Sequence, residues 1–285
     1  MKDEECASER TLRLRGCDVR LFLSEGAAYM YRGIDVSKHN GTVNFELVKR
    51  FGFDFVILRA GFGKSITQKD SRFEENYAKA KKAGLDVGAY WFSYALDPQT
   101  AKLEAQECIK ALSGKRFEYP IYYDLEADVN SNYYPFKTGK ENCSEMVRAF
   151  CNTLEKAGYW AGLYISRSPL QTHITEAVAK RYALWIAEYN TVCRYKGSYG
   201  MWQYSDSGII AGHTCRFDFD YCYKDYPAMI KAKKLNGYNR KTAAEIAAEV
   251  LDGKWGNGEE RKKLLSQAGY DYAEVQEKVN ELLRK

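Results

Sequence analysis

The chain has 285 residues, 45% of them hydrophobic, and a formal net charge of +5. That apolar share permits a substantial core and excludes disorder as the default, and the length allows one large domain plus a small one. The charge is too mild for a nucleic-acid-binding signature, and no apolar run is long enough to cross a membrane.

Residues 1–30 are weakly patterned and are expected to form an N-terminal extension. Within them "MKDEECASER" is charged and lacks an apolar h-region, so no classical signal peptide is expected. The stretch "VRLFLSEGAAYMY" is expected either to add a short strand or to pack on the surface. From Arg32 the pattern sharpens. "RGIDVS" reads as a strand ending in Asp35, and "FDFVILRAGFG" as a stronger one with Val56, Ile57 and Leu58 buried and Gly61 and Gly63 closing it. "FEENYAKAKKAGLDVGAYWFSYA" predicts a helix, a Gly84 cap and a strand. "TAKLEAQECIKAL" is helical and precedes the strand Ile121-Tyr122-Tyr123, which runs into Asp124 and Glu126. "CSEMVRAFCNTLEKAGYWAGLYIS" repeats helix, glycine stop at Gly158, strand. "YALWIAEYN", "YGMWQYSDSG" and Arg216–Phe219 of "RFDFDY" supply the remaining strands.

Alternating strands and helices predict parallel β/α units, and this many strands predict a closed or nearly closed barrel. The expected fold class is therefore α/β: a TIM-like (β/α) barrel over 31–232, with room for irregularity, plus a small C-terminal module. Residues 233–241, around "KLNGYNRKT", look like a linker. Residues 242–285 predict three short helices with turns at "DGKWGNG" and "AGYDY", and a module this small is expected to bind rather than catalyse.

The chemistry concentrates in carboxylates. Residues two apart in a strand point to the same face, so Asp124 and Glu126 are expected together, roughly 7 Å apart. Like charges so close push one group toward its protonated form. A protonated carboxyl beside an ionised one is what a glycosidase needs; the plainer alternative is a strand running into an acidic, solvated loop. In a barrel, active-site residues sit at the C-terminal ends of strands. Asp35, Asp124, Glu126 and Asp218 are all expected at such ends, converging on one mouth, and alternation puts Asp220 on the same side as Asp218. His39 follows Asp35 closely and is either a groove residue or structural, with no metal partner in view.

The 23 tyrosines, 13 phenylalanines and 5 tryptophans include flat faces on which sugar rings can stack, although most are expected in the core. The eight cysteines, Cys6, Cys17, Cys108, Cys143, Cys151, Cys193, Cys215 and Cys222, contain no CxxC pair, so neither a zinc site nor a thioredoxin-like site is indicated. Cys193 has two candidate partners for a disulfide, Cys215 and Cys222.

Two stretches carry a family resemblance. "RGIDVSKHNG", "FVILRAGFG", "GAYWFSYA", "YYDLE", "AGLYIS", "LWIAEYN", "MWQYSDSG" and "FDFDY" occur in an order and at a spacing that make Arg32–Tyr226 similar to the glycosyl hydrolase family 25 lysozymes. "EVLDGKWGNGEERKKLL" and "AGYDYAEVQEKVN" resemble the CW_7-type cell-wall-binding repeat. The resemblance departs at the N-terminal extension and at Phe217-Asp218-Phe219-Asp220, where Val-Asp-Leu-Asn is usual. It implies a bacterial-wall muramidase of the phage-endolysin layout, cleaving the β-1,4 bond between N-acetylmuramic acid and N-acetylglucosamine. One wall repeat is present where relatives often carry several, so avidity is expected to be limited.

Under that resemblance Glu126 is the general acid. Asp124 orients the substrate's acetamido group for attack on the anomeric carbon; the alternatives are direct stabilisation of an oxocarbenium-like state, or activation of a water for inversion. Asp35 and Asp218 take positioning and electrostatic roles. Arg59, Tyr94, Tyr164, Trp185, Trp202 and Gln203 are candidate groove residues. In the module, Asp252, Trp255 and Arg261 are the expected contacts to a muropeptide ligand, Trp255 as sugar platform and Arg261 as carboxylate partner, unless Trp255 is simply the anchor of a tiny core. Peptidoglycan is the expected partner. No cofactor, metal, nucleic acid or membrane insertion is expected. Action at the bacterial wall would then require release by a holin-like or non-classical route. The competing readings are a non-catalytic wall-binding protein and a glucosaminidase or chitinase-like hydrolase.

Overall fold

The computed structural model describes residues 30–239 and 241–284. The expectations for residues 1–29 lie outside the described residues.

Eight strands close into one barrel in chain order: β1 (Tyr31–Val36), β2 (Phe55–Phe62), β3 (Asp86–Phe92), β4 (Ile121–Asp124), β5 (Ala161–Ser166), β6 (Ala183–Ala187), β7 (Met201–Gly208) and β8 (Phe217–Cys222). The first seven pair in parallel, as β/α alternation predicts. Helices α1 (Phe45–Arg50), α2 (Phe73–Lys82), α3 (Pro98–Leu112) and α4 (Lys140–Lys156) return the chain between the first five strands. Two short helices, α5 (Arg167–His173) and α6 (Glu176–Arg181), lie between β5 and β6. Only loop joins β6 to β7 and β7 to β8. The connection over 188–200 is long enough to carry the chain back to a parallel β7, whereas the shorter one over 209–216 turns straight back, so β8 runs antiparallel to both neighbours, β7 and β1.

This corrects one expectation. Asp218 was placed at the C-terminal end of its strand; it is the second residue of β8. Because β8 is reversed, its beginning lies at the same barrel end as the ends of the parallel strands. Asp218 is the register partner of Asp35 across the closing seam.

Large rings fill the lower interior: Phe55, Tyr119, Tyr122 and Tyr226 are all essentially inaccessible. Glycine makes room for two of them. A Cβ on Gly33 would come within 2.1 Å of the Phe55 ring, and one on Gly162 within 2.5 Å of the Tyr122 ring. Phe55 stacks on Tyr119 with ring centroids 4.2 Å apart. A second apolar layer, between barrel and helices, holds Trp91, Phe117, Phe150 and Leu154.

After α7 (Tyr226–Ala232) the segment read as a linker is stitched to the barrel base. Asn236 is fully buried at φ 53°, a left-handed conformation that asparagine tolerates. Its side chain accepts the Trp160 N–H at 2.6 Å and donates to the Tyr119 carbonyl at 2.8 Å. Its own N–H donates to the Gly158 carbonyl at 2.9 Å, and its carbonyl accepts the Phe117 N–H at 3.1 Å. Tyr238 adds a hydroxyl bond to Glu118. The first half of the expected linker is therefore part of the barrel's floor. Beyond it α8 (Ala243–Leu251), α9 (Gly258–Gln267) and α10 (Tyr272–Leu283) enclose a small core of their own: Ile246, Ala247, Val250, Leu265, Val275 and Val279.

Candidate active site

Each carboxylate reaches the mouth through its strand. Asp35 is the penultimate residue of β1 and only 5% exposed. Its Oδ2 accepts the Gln203 side-chain N–H at 2.7 Å, and Gln203 Oε1 in turn accepts the hydroxyls of Tyr164 at 2.8 Å and Tyr189 at 3.0 Å. Asp124 ends β4, 3% exposed, with Oδ1 buried and unpartnered. Glu126 follows just beyond the strand and is half-buried. Asp35, Asp124, Glu126 and Asp218 line one pocket of about 70 Å³ together with Tyr90, Tyr164, Trp185 and Gln203. Asp220 lies deeper on the same side: it is buried, its Oδ1 accepts the Trp185 indole N–H at 2.8 Å, and its Oδ2 has no partner.

The electrostatics follow from burying so many acids together. Glu126 is pushed up to about 7, first by burial and then by the charges of Asp218 and Asp128. Asp218 rises to about 6, chiefly through burial. Asp35, Asp124 and Asp220 are held well above the usual carboxylate range, again with burial as the leading cause. Asp218 and Asp220 add to the rise at Asp35; Glu126 adds to that at Asp124, where Arg59 opposes it. Asp35 and Asp218 face each other across the seam, and their interaction raises the first and lowers the second. Repulsion between Asp124 and Glu126, the cause expected from the sequence, is thus secondary to desolvation.

The groove candidates divide. Tyr164, Trp185 and Gln203 line the pocket. Arg59 stands behind it: Nε donates to Asp70 Oδ2 at 2.7 Å, while Nη2 is buried without a partner. Tyr94 donates its hydroxyl to Asp128 Oδ2 at 2.8 Å. Trp202 is misplaced by the sequence reading. Strand alternation sends it to the face opposite Gln203, where its indole donates to the Glu188 carbonyl at 2.8 Å and packs on Tyr204 and Tyr221. His39 is exposed in the turn after β1 and lines no part of the pocket. Among the described residues no cluster of three or more His, Cys, Asp or Glu is arranged to hold a metal ion.

Sequence reasoning missed Tyr90, which lines the pocket, and the rim residue Tyr189, which is 54% exposed. Tyr90 was within reach: period two along "GAYWF" separates it from its buried neighbour Trp91, which faces the helices. Tyr189 lies in the loop after β6 and gave no signal.

In the C-terminal module Trp255 packs against the small core, donates its indole N–H to Glu249 Oε2 at 3.1 Å, and meets Tyr270 edge-on. Arg261 Nε donates to the Gly256 carbonyl at 3.1 Å, and exposed Asp252 pairs with Lys254 at 3.1 Å. The described cysteines Cys108, Cys143, Cys151, Cys193, Cys215 and Cys222 are all free, so neither pairing considered for Cys193 is formed.

Comparison with known proteins supplies the context. The model of the glycosyl hydrolases family 25 matches residues 34–213, and that of the CW_7 repeat matches 244–283. The autolytic lysozyme of Clostridium acetobutylicum is 30% identical over 190 residues, covering 66% of this chain and 55% of the relative. Among solved structures, the modular autolysin LytC from Streptococcus pneumoniae, in complex with a synthetic peptidoglycan ligand, superposes with a TM-score of 0.62 at 26% identity, over 70% of this chain and 48% of that one. The CTP1L endolysin superposes at 0.61 and 25% identity, over 78% of each chain. The chain spans about half the length of the clostridial and pneumococcal relatives. The family match runs from β1 through β7, taking in Asp35, Asp124 and Glu126 while β8 with Asp218 lies beyond it, and on that match the chain belongs to glycosyl hydrolase family 25.

Proposed function

We propose that this chain is a peptidoglycan hydrolase, a muramidase that cleaves the β-1,4 bond between N-acetylmuramic acid and N-acetylglucosamine. The observation that carries the reading is the pocket itself: four carboxylates from three strands and one loop, with Glu126 poised near 7. At neutral pH Glu126 is partly protonated and can give its proton to the leaving glycosidic oxygen. The sugar binds at the mouth, with its acetamido group toward the carboxylates that line the pocket. Asp124, with its unpartnered oxygen, takes the acetamido N–H and turns the acetamido oxygen toward the anomeric carbon. That oxygen forms a bond to the anomeric carbon as the glycosidic bond breaks. Glu126, now ionised, then takes a proton from the water that reopens the ring, with net retention. Asp35 and Asp218, both raised by burial, limit the charge at the floor of the site and lie close to where positive charge develops on the sugar.

The C-terminal repeat is read as the wall anchor, with Asp252, Trp255 and Arg261 toward a muropeptide. The protein then acts at the bacterial wall, reached by a holin-like or non-classical route. The test is digestion of purified peptidoglycan, borohydride reduction and mass spectrometry. Reduced N-acetylmuramic acid at the new ends is the expected result. Reduced N-acetylglucosamine would make the protein a glucosaminidase, and pelleting with walls without fragments would make it a binding protein.

A further inference from the structure

The loop that carries Glu126, residues 125–134, has little structure of its own. Its clasp is a pair of backbone bonds: Asp128 N–H to the Tyr133 carbonyl at 2.9 Å, and Tyr133 N–H to the Asp128 carbonyl at 2.8 Å. Behind it, outside the pocket, lies a buried polar cluster centred on Glu104 of α3, which is fully inaccessible. Glu104 Oε1 accepts the Tyr94 N–H at 2.7 Å, and Oε2 accepts the Ser93 hydroxyl at 2.9 Å. Ser93 Oγ also accepts the Ala95 N–H at 3.0 Å and lies 2.7 Å from the Tyr123 hydroxyl and 3.3 Å from that of Tyr133. Tyr133 donates its hydroxyl proton to the Ala95 carbonyl at 2.8 Å.

The arms of this cluster end on the segments that present the catalytic pair. The Ser93 N–H donates to the Asp124 carbonyl at 3.0 Å, and Tyr123 precedes Asp124 in β4. Tyr133 closes the Glu126 loop, and Tyr94 donates its hydroxyl to Asp128 within it. An ionised carboxylate only accepts, so Ser93 must donate to Glu104. That leaves the Ser93 lone pairs for Ala95 and Tyr123, and each hydrogen in the chain has one destination. Burying a carboxylate is costly where an apolar contact would serve for packing alone. Here the return is one fixed arrangement of two backbone segments.

We propose that Glu104 is a positioning residue for the reaction: acting through Ser93, Tyr123 and Tyr133, it sets the segments that present Asp124 and Glu126 to the pocket. The inference rests on the reading of that pocket as the site of glycan cleavage. Burial raises Glu104 to about 7. The other titratable groups facing the cluster are Tyr123 of β4, Tyr133 of the loop, Cys108 further along α3 and Cys143 of α4, all raised by burial. Glu104 is therefore the member that titrates near neutrality, and its acceptor form fills as pH rises through about 7. The next carboxylate below it in the site is Asp218, at about 6.

The test uses the full chain with Glu104→Gln and, as a milder variant, Tyr133→Phe. Three quantities are measured: kcat and KM on purified peptidoglycan, the acid limb of the pH profile, and amide hydrogen exchange. Glu104→Gln is expected to lower kcat about tenfold or more with KM within about twofold. Its acid limb should move down from about 7 toward about 6, the values set by Glu104 and Asp218. Exchange should rise in residues 93–96 and 124–134 and stay unchanged in 161–187. Tyr133→Phe, which keeps Glu104, should lower kcat a few-fold and raise exchange in the same segments without moving the acid limb, and it decides the matter if Glu104→Gln does not fold. Unchanged kcat and acid limb, or exchange rising throughout the barrel, would overturn the proposal. If the unmodified protein releases no reducing ends, the muramidase reading falls by itself. The exchange experiment then still decides: a rise confined to the loop supports positioning by Glu104, and no rise rejects it.

Discussion

The two ends of the barrel interior are built by opposite rules. At the base, Phe55, Ile57, Tyr119, Tyr122, Met201 and Tyr226 interlock, and the polar groups among them are neutral phenols. At the mouth, Asp35, Asp124 and Asp220 are as deeply buried, but there the buried groups are acids; unpartnered oxygens occur at both ends, on Tyr119 and Tyr226 as on Asp124 and Asp220. The base gains stability from burial, whereas the mouth loses some of it, because each buried acid is raised toward neutrality. One closed sheet carries both, and the surplus at one end sustains the deficit at the other.

The comparison can be broken by exchanging residues at each end. The largest effect is expected for Glu126→Gln: turnover on purified peptidoglycan should fall by about two to four orders of magnitude. Its melting temperature should be equal to or above that of the parent, since an uncharged amide replaces a strained acid. Retained lysis would remove Glu126 from the acid role. At the base, Phe55→Ala should cost about 3–5 kcal/mol in denaturant unfolding while the folded fraction keeps its turnover. A loss of turnover per folded molecule would show that the two ends are not separable.

A smaller effect is expected from pH. The Glu126 acid is raised from 4.5 to about 7 on folding, so the folded state favours its protonated form. Its stabilising contribution is complete below about 4.5 and is lost as pH rises through about 7, on the order of 2 kcal/mol. Melting temperatures taken between those pH values should decline in the parent and decline less in Glu126→Gln. Parallel curves would argue that the carboxyl is solvated. Outside the barrel the smallest effect is expected: Trp255→Ala should reduce pelleting with walls several-fold, measured at low and high salt. Undiminished pelleting would leave Trp255 as the core anchor that its packing against Tyr270 already makes it.

Much of this was legible in the sequence. The parallel strands, the glycine stops and the convergence of Asp35, Asp124, Glu126 and Asp218 follow from periodicity and from the rule that barrel sites gather at strand ends. Three features were not legible, each for a physical reason. The reversal of β8 depends on how one loop closes, and a short strand reads alike in both directions. Trp202 and Gln203 are adjacent, so only the register of β7 decides which one faces inward. The anchoring of Asn236 joins residues far apart in sequence, and a composition shift toward Gly, Asn and Lys describes a floor segment as readily as a tether.

The seam between the first strand and the last has a further consequence. Asp35 lies in β1 and Asp218 in β8, and they meet only when those strands pair. During synthesis most of the barrel is made before its closing partner exists, and contacts of such long range form late. A growing or partly folded chain therefore has no complete mouth. Closure of the sheet and assembly of the acidic cluster are one event, so the proposed cleavage can begin only once the fold is finished.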